Sequence, residues 1–147
     1  MWNKHAVSRS SRVVLWLQGI YCIVIGVWPL LQLSSFLAVT GPKHDLWLVQ
    51  TMGALIAVVG VAMCVAGMRL FVTAEGCVLA AGSACVLMVA DVVFSAEGVI
   101  SPVYLLDGVL ECAFVIAWVT LGILYMKANY QENMPSSGAD HLAVAWR

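Results

Sequence analysis

The sequence predicts an all-α membrane protein: a bundle of four transmembrane helices, arranged as two αα-hairpins, with both termini in the cytoplasm. Three observations carry that prediction. The first is composition. Of 147 residues, 63% are hydrophobic and only 10% charged, where a soluble domain has roughly 45–50% apolar and about 25% charged residues. So few charges cannot solvate a water-facing surface, and the apolar excess must face lipid. The second is segment length. Four apolar stretches, at about 13–33, 46–68, 77–96 and 103–126, each approach the ~20 residues that cross a hydrocarbon core about 30 Å thick. The third is the distribution of basic residues. Lys4, Arg9, Arg12, Arg69, Lys127 and Arg147 fall on one side of the four crossings and Lys43 alone on the other, which sets the termini inside.

The elements follow in order. The first stretch has a basic lead and an apolar run too long for a signal peptide, with no small-residue cleavage site behind it. It is expected to remain as helix one. Ser34-Ser35 and the run Thr40-Gly41-Pro42-Lys43-His44-Asp45 should break the first hairpin. Asp45 stands where a carboxylate can cap the second helix. The segment from Arg69 to Gly76 forms the next turn. Glu97-Gly98 and Ser101-Pro102 punctuate the last hairpin, with Pro102 suited to the first turn of helix four. Helix four is interrupted by Asp107 and Glu111, each costing about 2.5–3.5 kcal/mol on insertion scales. A re-entrant segment is therefore an alternative to a full crossing there. Residues 1–128 form the transmembrane domain, and the polar residues 129–147 are expected to be a flexible cytoplasmic tail.

A short internal likeness supports the hairpin arrangement. Trp47-Leu48-Val49-Gln50 and Tyr104-Leu105-Leu106-Asp107 both read aromatic, Leu, aliphatic, polar, and each follows a loop proline. Chance resemblance between two helix starts accounts for so short a match equally well.

Several function classes lose support at this stage. The formal net charge is −1, with no basic run interleaved with aromatics, so nucleic acid is not an expected partner. The five cysteines, Cys22, Cys64, Cys77, Cys85 and Cys112, form no C-x-x-C pair. They read as small apolar fillers, and no metal site or cofactor is expected. Nucleophile elbows, Walker loops, dinucleotide fingerprints and H-E-x-x-H are all missing, so an enzyme is the less favoured reading.

The informative residues are polar ones inside apolar helices. A carboxylate in hydrocarbon normally faces a bundle interior or a wet cavity. Helical spacing places Asp91 on a stripe with Gly76, Ala80, Ala84 and Leu87, small residues that let helices approach closely. Gln50 continues into Gly53, Ala57, Gly60, Cys64 and Gly67. In helix one, Gln18, Tyr21 or Cys22, Ile25, Trp28 or Pro29, and Gln32 share a face. In helix four, Tyr104, Asp107, Glu111, Phe114 and Trp118 do the same. At about 1.5 Å per residue, Asp107, Gln50 and Asp91 lie roughly 6–8 Å below the outer boundary, and Glu111 is near the midplane. Gln32, Gln50, Asp91, Asp107 and Glu111 are therefore expected to form one outward-opening polar pocket. Lys43, His44 and Asp45 would cover it, and Trp28, Trp47 and Tyr104 would line it or anchor at the membrane interface. Three carboxyls so close in a low dielectric cannot all stay ionised. Lys43 is a further ligand candidate, as a phosphate contact or a partner of the acids.

The stretch Phe36-Leu37-Ala38-Val39-Thr40-Gly41-Pro42-Lys43-His44-Asp45-Leu46-Trp47-Leu48-Val49, with Gly26-x-Trp28-Pro29 before it, resembles small bacterial four-helix membrane proteins, loosely DoxX-like. The resemblance covers about residues 17–60. It implies a fold and a bacterial plasma membrane, and it carries over no catalytic residues. The sequence thus yields three functional expectations. The first is a pocket binding or passing a proton, a cation or a small polar or lipid-like ligand. The second is an accessory subunit packing against a partner membrane protein or a second copy of itself. The third is an enzyme acting on a lipid-soluble substrate.

Overall fold

A glycine-studded pair of helices and an acid-bearing pair make up the protein, whose computed structural model describes residues 4–69 and 72–133. The helices are α1 (Lys4–Leu31), α2 (Leu33–Thr40), α3 (Leu46–Gly67), α4 (Ala74–Ala96) and α5 (Tyr104–Asn133). Four of them are long and apolar enough to cross a membrane, over Ser8–Leu31, Leu46–Gly67, Ala74–Ala96 and Tyr104–Gln131. The chain is a small four-helix integral membrane protein.

The helix ends correct several expectations. α1 begins at Lys4 rather than near 13, and α5 runs to Asn133 rather than 126. Apolarity marks where hydrocarbon ends, whereas a helix continues past that edge as long as its backbone bonds are made. The segment expected as a loose tail from 129 thus opens as helix, and the rest of it, 134–147, lies outside the described residues. α5 is also unbroken through Asp107 and Glu111. Its span of 28 residues excludes the re-entrant alternative, which needs a helix break at depth.

Ser34-Ser35 does not break the chain into a loop. Gln32 leaves helical geometry (φ −145°, ψ 68°), and α2 starts at once behind it. The corner is held by side chains. The Trp28 indole N–H donates to Ser35 Oγ at 2.9 Å, and that hydroxyl donates to the Gln32 carbonyl at 2.9 Å. Phe36 then packs edge-on against Trp28, with centroids 5.5 Å apart. The reversal after α2 passes through Gly41 at φ +87°, a conformation that side-chain-bearing residues avoid. Asp45 occupies the α3 N-cap position without a side-chain cap hydrogen bond. Thr73 is the residue that caps: its hydroxyl accepts from the Gly76 N–H. Pro102 lies in the turn leading into α5 rather than within it.

Packing is unequal. α1 lies most extensively against α3, and α4 against α5, while α1 also touches α5 and α3 meets α4 only slightly. The α1–α3 contact is made by glycines two helical turns apart on both helices. Gly19 faces Gly60, and Gly26 faces Gly53. A Cβ added at Gly60 would sit 2.6 Å from the Gly19 carbonyl oxygen, and one at Gly53 would sit 2.6 Å from that of Gly26. Lipid gives helices no hydrophobic reason to associate, so close backbone approach and its dispersion contacts hold such a pair. The pairing is antiparallel, because low numbers on α1 meet high numbers on α3.

The two pairs meet through a buried amide. Gln18 on α1 has no exposed surface. Its Nε2 donates to the Ala80 carbonyl of α4 at 2.8 Å. Its Oε1 accepts from the Trp118 indole N–H of α5 at 2.9 Å. Around this bridge lie Leu15, Cys22, Met63, Ala80 and Trp118, which form the buried core.

Gly60→Ala should lower the thermal unfolding midpoint in detergent, by the equivalent of about 1–3 kcal/mol, because a methyl group forces the α1 and α3 backbones apart. Gly82→Ala should be neutral or stabilising by up to about 1 kcal/mol, since nothing lies within 4 Å of a Cβ there. Gln18→Leu should cost about 0.6–1.7 kcal/mol; Trp118→Phe adds its own loss of buried volume, and the two changes together should cost less than their sum because they share one hydrogen bond. A double-mutant cycle on denaturation midpoints measures this.

Candidate functional site

The three acids expected at the site come from two helices, and the structure gathers them. Asp107 and Glu111 lie one turn apart on the buried stripe of α5. Asp91 reaches them from the last third of α4. Its side chain fills the space over Gly108, where an added Cβ would meet Asp91 Cβ at 3.4 Å and Oδ2 at 3.9 Å. A small residue between the two α5 acids leaves room for this third carboxyl. Both Asp107 and Asp91 lie within electrostatic range of Glu111.

Burial is deep. Glu111 is 0% exposed and Asp91 7%, and Asp107 is half-buried. Asp91 Oδ2, Asp107 Oδ1 and both carboxyl oxygens of Glu111 are buried with no hydrogen-bond partner in the protein. The Tyr21 hydroxyl and Ser95 Oγ share that condition, and Ser95 stands one turn beyond Asp91 on α4. Buried polar atoms are normally satisfied by protein or by water. A group of such atoms in one place therefore calls for a solvent molecule or a proton.

The space available decides between ligands. Tyr21, Cys22, Ile25, Ile56, Leu87, Asp107 and Glu111 enclose a cavity of about 20 Å³. That exceeds the roughly 10–15 Å³ needed for one water centre, and Tyr21, Asp107 and Glu111 supply the two to four polar partners such a water requires. It is far below the roughly 300–1,000 Å³ of small-molecule sites. Among the described residues no cluster of three His, Cys, Asp or Glu has metal-holding geometry, and the cysteines are free thiols.

A second group of polar side chains lies at the end of the bundle that carries α2. Lys43 Nζ lies 4.8 Å from the centroid of the Tyr104 ring, a cation–π contact. Partial burial there lowers the Lys43 pKa below its ordinary value. Tyr104 lies beside Thr40 of α2 and within electrostatic range of Asp91. Thr40, Lys43 and Tyr104 thus lie above the acids at this end.

Other expected site residues lie elsewhere. Gln50 and Gln32 are exposed and stand apart from the acids. Gln50 sits in the first turn of α3, before the glycine contact brings that helix against α1, and Gln32 is turned out at the α1–α2 corner, where its Oε1 lies 3.4 Å from Ser35 Oγ. His44 and Asp45 are exposed. Trp47 is 68% exposed and is not among the residues around the acid cavity, which leaves it the interfacial-anchor alternative. Tyr21, one of the residues expected on the polar face of helix one, lines the cavity, and Gly108 is the addition that sequence reasoning passed over. Its signal was present: Gly108 sits between two acids.

Comparison with protein-family models, curated proteins and solved structures gave no match.

The fit of Asp91 over Gly108 predicts a size threshold. Gly108→Ala should be tolerated, since 3.4 Å is ordinary contact. Gly108→Ile should displace Asp91 and lower stability by about 1–3 kcal/mol, and pairing it with Asp91→Ala should recover part of that loss in thermal unfolding.

Proposed function

We propose that this chain is a proton-binding membrane protein, in which Glu111 holds a proton within a carboxyl cluster reached from the Lys43 end. The observation that carries the reading is Glu111 itself: a carboxyl without any exposed surface, both of whose oxygens lack a protein partner. An ionised group there would be an uncompensated charge inside hydrocarbon. Asp91 and Asp107 nearby add like charge or share the proton. The 20 Å³ cavity suits a water carrying that proton, and disfavours a polar organic ligand, a lipid-like ligand or the substrate of an enzyme at these acids.

Orientation in this reading follows charge. Arg9, Arg12, Arg69 and Lys127 gather at one end of the bundle and Lys43 at the other, so the proposed topology has cytoplasmic termini and an outward-facing entry. The α1–α3 and α4–α5 pairs serve as its two αα-hairpins. A bacterial plasma membrane and kinship with DoxX-like proteins rest on the 36–49 motif alone. As an accessory subunit the chain would use the same acids only to fix helix register.

Infrared spectroscopy of the protein in lipid nanodiscs, with carbon-13 glutamate labelling, separates these. Wild type should show the carbonyl stretch of a protonated glutamic acid at neutral pH, shifted by the label and lost in Glu111→Gln. The proposal fails if wild type lacks the band, or if the band survives in Glu111→Gln.

A further inference from the structure

The helix pair that closes on Asp91 opens at its other end. Toward the arginine end, α4 and α5 spread from α1 around a groove of about 690 Å³. Its walls are Cys77 and Ala81 of α4 and Trp118 and Gly122 of α5, with Ser8 and Ser11 of α1 at one end. Val119 and Tyr125 along its edge are exposed, so the groove communicates with the surroundings of the bundle. The wall residues from α4 and α5 all belong to membrane-spanning segments. This space therefore faces hydrocarbon, and its volume is in the range of built ligand sites.

Basic residues gather at this end of the bundle, and Glu75, next to Ala74, lies within electrostatic range of Arg69. Arg12 follows Ser8 by one turn of α1 and is only partly exposed. Its Nε is buried without a hydrogen-bond partner. Guanidinium groups in that condition are suited to a phosphate, which they bind through charge and paired N–H donors. Arg9, Arg69 and Lys127 stand at the same end, and no Asp or Glu lies among the groove residues. An apolar slot that ends in hydroxyls, with Arg12 one turn beyond Ser8, matches one amphiphile: an acyl chain carrying an anionic phosphodiester.

We propose that this groove is a binding site for an anionic phospholipid of the leaflet at the arginine end. One acyl chain lies between α4 and α5 over Trp118, and the phosphate meets Arg12. The site is separate from the carboxyl cluster, and neither reading depends on the other.

Two glycines make the test clean. Gly122 lines the groove, whereas Gly82 of α4 is not among its walls, and a Cβ at either position has nothing within 4 Å. Both therefore accept a large side chain without a clash, but only Gly122→Phe fills the groove. The full chain would be released by native mass spectrometry from nanodiscs of equal phosphatidylglycerol and phosphatidylcholine. The expected result is one retained phosphatidylglycerol per wild-type chain, retained also in Gly82→Phe and lost in Gly122→Phe. Arg12→Gln should keep a lipid but reduce the preference for phosphatidylglycerol about fivefold, the effect of one basic residue at an anionic surface. Equal retention of the two lipids by wild type, or identical behaviour of the two phenylalanine variants, would overturn the proposal. So would a lipid-free dimer of wild type that Gly122→Phe converts to monomer, which would assign the groove to a second copy.

Discussion

Gln18 lies in the middle of the bundle with no exposed surface, and its amide reaches two other helices. Neither end of that amide has water to fall back on. The register of α4 and α5 against α1 is therefore set to within a residue, because a slip in either helix strands a donor or an acceptor in hydrocarbon. The remaining arrangement depends on that setting. The glycine contacts fix how closely α3 approaches α1 but say nothing of the other two helices. Once the Ala80 carbonyl and the Trp118 indole are held level with Gln18, antiparallel geometry carries the rest. Asp91 arrives opposite Gly108, and Glu111 arrives at the cavity with Tyr21.

The bundle thus uses two kinds of cohesion in two places. Between α1 and α3 the contact is backbone on backbone, possible only because Gly19, Gly26, Gly53 and Gly60 bring no side chains. Between α1 and the α4–α5 pair it is a polar bridge within a small apolar core. Interhelical hydrogen bonds in membranes are individually modest, at about 0.6 kcal/mol on average, so the bridge contributes more to which arrangement forms than to how stable it is. The weak α3–α4 contact leaves a four-helix protein assembled from α1 outward.

Much of this was written in the sequence. Four spans were legible because hydrocarbon thickness imposes a length on apolar runs. The small-residue stripes around Gly60 and Ala80 were legible because the helical period puts them on one face, and the structure buries both. The three acids were readable as a group by the same period. The rest needed three dimensions. Gln50 continues the glycine stripe in sequence, yet it lies beyond the last close contact of α3 with α1, and periodicity has no term for where a contact ends. Ser34-Ser35 reads as a break, but a serine hydroxyl can fold a corner as well as interrupt a helix, and Trp28 seven residues earlier decides which. The size of the cavity was beyond reach altogether, because it depends on how four helices pack rather than on what any one of them carries.

The same bridge has a consequence for what can cross. The acid cavity lies on one side of Gln18, toward Lys43, and the apolar groove lies on the other, toward Arg12. Between them Leu15, Gln18, Cys22, Met63, Ala80 and Trp118 are packed with almost no exposed surface, and the hydrogen-bonding capacity of Gln18 toward α4 and α5 is already committed. That layer is a septum. Under the proton-binding reading proposed above, a proton held at Glu111 has this packed layer beyond it. The acid cluster would then be a dead-end port rather than a conduit, and any traffic across would first have to break the amide bridge that holds the helices in register.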